Sequence, residues 1–105
     1  MKIAHFLLDT IQGAAAARFF EEVNSGQNDF FIWVGSDGLR FLKDLNATFL
    51  DLKSVSSPEF AKRIDTYELV IFHSLISGFE KVLVQLKSQV PVLWIGWGGD
   101  YYDLI

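Results

Sequence analysis

Five short apolar runs recur along the chain, each separated from the next by a segment of helical periodicity, and no hairpin turn joins any two of them. They are Lys2 to Leu8, Asp29 to Val34, Ala47 to Leu52, Glu68 to Phe72 and Val90 to Trp97. Strands linked by crossover helices lie parallel, and parallel strands covered on both faces read as continuous apolar runs rather than alternating ones. The pattern predicts an α/β fold, a doubly wound five-stranded parallel sheet in three α/β/α layers, Rossmann-like, with strand order 3-2-1-4-5. A chain of 105 residues supplies one such domain and one core, and its 50% apolar and 15% aromatic content suits a sheet buried on both sides.

The segments between the runs carry helix signals. Ala14 to Asn24 places Ala16, Phe19, Phe20 and Val23 on one stripe, with Asn24-Ser25-Gly26 as its stop. A short helix is expected through Leu39, Leu42 and Leu45, capped by Ser36 or Asp37. Ser57-Pro58-Glu59 combines a cap, a first-turn proline and a first-turn acid, opening a brief helix that ends near Ile64. A fourth helix carries Ile76, Phe79, Val82, Leu83 and Leu86 and runs to Ser88. No helix follows the fifth run, which leads us to expect that residues 1–105 form the N-terminal part of a longer protein.

Several functions are excluded or demoted. Nine basic against thirteen acidic residues give a net charge of −4 with no lysine or arginine run, so nucleic acid is not expected as a partner. There is no cysteine, hence no disulfide or thiolate metal site. Two distant histidines and no Asp-x-Asp pair give no metal ligand set. Only Gly13 stands where a dinucleotide-binding unit has three spaced glycines, and a P-loop is missing, so no cofactor is expected. The N-terminal apolar run is short for a signal peptide, and no stretch approaches the roughly twenty residues of a membrane helix, so a cytoplasmic location is expected.

Chemistry concentrates at three loops. In a 3-2-1-4-5 sheet the loops after strands one, four and five meet at the crevice where ligands bind. These are Asp9 to Gly13, His73 to Gly78, and Gly96 to Tyr102. His73 leaves a strand end, where it could bind a hydroxyl or phosphate or pass a proton, whereas His5 lies within the first strand and reads as core. Asp100 is the leading catalytic carboxylate, with helix capping as its blander role. Asp9 could be the base instead, or could cap the first helix. Gln12 shares its loop. Trp97 and Tyr102 offer stacking surfaces for a sugar ring, and Gly98 and Gly99 let the backbone approach a ligand, while Trp94 reads as core.

The stretch Trp94-Ile95-Gly96-Trp97-Gly98-Gly99-Asp100-Tyr101-Tyr102 resembles the tryptophan, tryptophan-glycine-x-aspartate-x-tyrosine motif of the bacterial 4-acetamidofucosyl (Fuc4NAc) transferases, the lipid II enzymes of enterobacterial common antigen assembly. It is also similar to the glycine-x-aspartate turn of many GT-B glycosyltransferases, and Phe72-His73 at a strand end is a second echo. The resemblance implies the acceptor-side half of a metal-independent, inverting glycosyltransferase. It would move an acetamido-deoxy sugar from a nucleotide-sugar donor, held mainly by a further C-terminal domain, to a lipid-linked or glycan acceptor. His73, Trp97, Asp100 and Tyr102 would surround the acceptor hydroxyl, and a lipid-linked acceptor would bring the longer protein to the inner face of the cytoplasmic membrane. The spacing of the two tryptophans departs from the family's.

The competing function is a non-catalytic signalling or binding module, receiver-like or flavodoxin-like. Strand order separates the two: 2-1-3-4-5 sets Asp51 beside Asp9 as an acidic pocket, while 3-2-1-4-5 sends Asp51 to the sheet edge. A receiver would also want a lysine where Trp97-Gly98 stands, and a flavodoxin more hydroxyl groups than Thr10 after strand one.

Overall fold

The computed structural model describes residues 1–33, 39–42, 45–51, 55–73 and 90–95. Five strands form one all-parallel sheet: β1 (Ile3–Leu8), β2 (Asn28–Trp33), β3 (Ala47–Leu50), β4 (Leu69–Phe72) and β5 (Val92–Trp94). Their order is β3-β2-β1-β4-β5, the expected one. Asp51, which follows β3, therefore lies at the sheet edge with β2 between it and β1. This arrangement does not form the acidic pair that the receiver alternative requires.

Because side chains alternate across a strand, β1 feeds two separate cores. Ala4 and Phe6 face one layer with Phe31, Val70 and Phe72, closed by Phe60 and Ile64 of α2 (Pro58–Ile64) and by Val55, Tyr67 and Val90. Leu7 faces the other with Phe30 and Ile32, closed by Ala17 of α1 (Ile11–Val23) and by Leu42. The cap at Ser57 is as expected: its hydroxyl accepts from Phe60 N–H at 3.1 Å, with Pro58 in the first turn.

α1 departs from expectation in start and rotation. It begins at Ile11 because Thr10 is its N-cap, the Thr10 hydroxyl accepting from Gly13 N–H at 2.9 Å. Its buried residues are Gly13 and Ala17, while Phe19 and Val23 of the expected stripe are 55% and 62% exposed. The reason is close approach. A Cβ at Gly13 would stand 2.3 Å from the carbonyl oxygen of Leu8, so the first turn of α1 seats on the end of β1 only through a residue without a side chain. The smallest residues then set which side of the helix meets the sheet. At its other end Asn24 is the C-cap and Gly26 carries the positive φ of +74°, which favours glycine.

Two further expectations are revised. Residues 39–42 and 45 form no helix, yet Leu42 is buried and Leu39 and Leu45 pack beneath α1, so their spacing marked burial and not helical conformation. β5 is three residues long with all three exposed, and Trp94, read as core, is among them. The expected fourth helix and the residues Trp97, Gly98, Gly99, Asp100 and Tyr102 lie outside the described residues.

Candidate functional site

The strand order places the carboxyl ends of β1 and β4 side by side with β5 beyond. The ladder continues past each strand: His73 N–H donates to Phe6 O at 3.0 Å, and Ile95 N–H donates to Phe72 O at 2.8 Å. The chain thus leaves β1 at Asp9, β4 at His73 and β5 at Ile95 on one rim of the sheet, the topological switch point of this strand order.

Asp9 is not free on that rim. Its Oδ2 accepts from Arg40 N–H at 2.5 Å, and its Oδ1 accepts from Phe41 and Leu42 N–H at 2.9 Å each. Desolvation pushes its carboxyl pKa upward, but the three backbone donors and the Arg40 charge outweigh this and hold it below the usual aspartate value. A carboxylate so engaged is a poor base and caps a different segment from the one expected. It latches the β2–β3 crossover onto the end of β1, while Thr10 caps α1. Asp9→Ala should lower stability by about 1–3 kcal/mol, since three amides lose a charged acceptor. Urea midpoints and exchange rates of amides 40–42 report it, and a loss within about 0.5 kcal/mol, the range of an ordinary surface change, would refute the latch.

His73 has its backbone on the rim and its ring in the core. The ring is 2% exposed and packs edge-on against Phe20 of α1 at 5.6 Å. This corrects the expectation of a ring standing clear of the core at the strand end and free to pass a proton. Its Nε2 lies 2.9 Å from Nδ1 of His5, itself fully buried, and Nε2 of His5 lies 2.8 Å from Oδ1 of Asn28. His5 is therefore core, as expected, and half of a buried imidazole pair.

The direction of every hydrogen bond in this chain follows from Asn28. Its Nδ2 donates to Asn24 O at 2.8 Å and to Phe20 O and Glu21 Oε1 at 3.0 Å each, while Oδ1 accepts from Asn24 Nδ2 at 3.2 Å. The amide is fixed, so His5 Nε2 must donate and His5 Nδ1 must accept. His73 Nε2 is then the donor to it, and His73 Nδ1 carries a bare lone pair. Among the described residues nothing donates to that atom. Burial pushes the His73 pKa down to about 3, with the neighbouring His5 adding to the effect. Burial also lowers His5, against the opposing pull of Asn28, Glu21 and Asp29. Both rings are neutral near pH 7.

Gln12 is exposed in the first turn of α1. Asn28 and the pairing of the two histidines were missed at the sequence level, although a signal was there. His5 is an odd-numbered β1 residue, His73 continues the matching alternation of β4, and Asn28 opens β2, so a parallel sheet in this order sets all three on one face. Among the described residues no cluster of three His, Asp or Glu could hold a metal, and no helix is long and apolar enough to cross a membrane. Comparison with protein-family models, with curated proteins and with solved structures finds no match for the chain.

Proposed function

We propose that this chain is the acceptor-side, N-terminal domain of a GT-B glycosyltransferase resembling the 4-acetamidofucosyl transferases. Such an enzyme moves an acetamido-deoxy sugar from a nucleotide-sugar donor to a lipid-linked or glycan acceptor, with inversion and without a metal. The observation that carries this proposal is the strand order. It sets the β1/β4 crevice next to the end of β5, where the Trp94-to-Tyr102 motif begins. Asp100 takes the proton of the attacking hydroxyl, Trp97 and Tyr102 stack on the sugar, and Gly98 and Gly99 let the backbone approach it. Asp9 is reassigned from base to loop latch, and His73 from proton carrier to a neutral group. The protein works on the cytoplasmic side, meeting the membrane through its acceptor's lipid.

Transfer requires the donor and acceptor to be held together, so one domain alone lacks half of the positioning. A two-domain protein containing residues 1–105 should release TDP from TDP-4-acetamidofucose in the presence of a lipid-linked acceptor, and a chelator should leave the rate unchanged. Residues 1–105 alone should release none. TDP release by the isolated domain, or no transfer by the two-domain protein from any nucleotide sugar tried, overturns the proposal.

A further inference from the structure

We propose that the rim above His73 contains a subsite for a neutral hydroxyl group, with His73 Nδ1 as its hydrogen-bond acceptor and the His5–Asn28 chain holding the ring in that role. Two observations carry it. The first is the deduced tautomer. Asn28 is locked by four hydrogen bonds to α1 and the residues after it, and that lock passes through His5 to leave His73 with a proton on Nε2 and none on Nδ1. The unpartnered atom is thus an acceptor, not a donor, and a buried acceptor without a donor is unfavourable unless something supplies one.

The second is direction. The β1–β4 register pairs Phe6 with Phe72 and, continued by one residue, sets His73 level with Leu7. His5 therefore lies two residues nearer the amino ends of the strands. The two nitrogens of an imidazole face away from each other, so a ring whose Nε2 points down to His5 turns its Nδ1 lone pair toward the carboxyl ends. That is the side on which sheets of this order bind ligands.

A bare lone pair selects its partner. It attracts an O–H hydrogen, and because the buried neutral ring offers no counter-charge to a phosphate, of the groups His73 was expected to bind the neutral hydroxyl is the one favoured. Burial also keeps the ring from taking the proton, since its pKa is held near about 3. His73 orients a hydroxyl and leaves its deprotonation to another group. The source of that hydroxyl, a sugar acceptor, rests on the transferase reading; the subsite itself does not.

The test uses the intact protein with 15N-labelled histidine, read by long-range proton–nitrogen correlation near pH 7. Methyl glucoside and inorganic phosphate are added separately. The expected result is Nε2–H on both rings, with an Nδ1 resonance of His73 that moves upfield with the glucoside and not with phosphate. An Nδ1–H tautomer at His73, an equal or larger response to phosphate, or no response to the glucoside overturns the subsite. An Nδ1 already in the hydrogen-bonded range and unmoved by the sugar identifies a buried water and also overturns it. A glucoside-responsive His73 in a protein that transfers no sugar keeps the subsite and removes the transferase reading. A silent His73 in a competent transferase does the reverse.

Discussion

Acidification should weaken this domain well before most of its carboxylates are protonated. An unfolded histidine takes up a proton near pH 6.5, but folded His73 does so only at about 3, so acid in this window binds to the unfolded chain and draws the equilibrium toward it. The contribution is fully present above about pH 6.5 and is lost as the pH falls toward 3. At about pH 4.5, His73 alone should remove about 3 kcal/mol of stability. His5, lowered by the same burial, adds to the loss in the same direction. Against a total stability of about 5–15 kcal/mol this is a large fraction. Urea midpoints measured between about pH 7.5 and 4.5 should therefore fall steeply below about pH 6.5, and His73→Gln should flatten the fall because an amide does not titrate. A midpoint that stays level from neutrality down to about pH 5 would show that the two rings are not buried as a neutral pair.

The second large effect is expected at Phe6. Its ring is fully buried at the middle of the central strand, stacked between Phe31 at 5.1 Å and Phe72 at 4.8 Å, with Phe60 of α2 edge-on at 6.2 Å. Phe31 and Phe72 belong to the strands on either side of β1, so one ring couples three strands and a helix. Phe6→Ala should cost about 3–5 kcal/mol, combining lost transfer energy, the cavity left behind and the broken aromatic contacts. For a domain of this size that corresponds to a fall in melting temperature of roughly 15–30 °C. Phe49 in the edge strand β3 is 54% exposed, and Phe49→Ala is the contrast, expected to stay within about 0.5 kcal/mol. Calorimetry on the two variants decides the matter. Comparable losses at both positions would mean that the stack is not what ties the central strands together.

The fold was legible because a parallel sheet writes itself into the sequence twice. Its strands are apolar on both faces, as Ile3 to Leu7 are apart from His5, and its crossovers carry caps such as Ser57-Pro58 that mark helix starts independently of the strands. The order 3-2-1-4-5 is the common one among the few that parallel strands leave, and the structure decides for it against 2-1-3-4-5. Periodicity misled where a residue's neighbours were not local. Leu39, Leu42 and Leu45 are spaced like a helix and are drawn toward the core, but the backbone there is held by the carboxylate of Asp9, more than thirty residues earlier. Phe19 and Val23 look like the buried stripe of α1, yet Gly13 and Ala17 are, because the tightest contact with the sheet is made by the residues that project least.

The candidate site divides in the same way. By itself the sequence determined which strands exist, that they are parallel, and that Asp9 and His73 stand at strand ends, since all of this depends on local pattern; that those two strands are neighbours came with the strand order of the folded sheet. Only the tertiary structure decided what those side chains do. Asp9 closes on amides of the next crossover, and the His73 ring turns inward to a histidine 68 residues away whose own partner lies on a third strand. A hydrogen bond depends on tenths of an ångström and on orientation, and the chain acquires both only when distant segments are packed against one another.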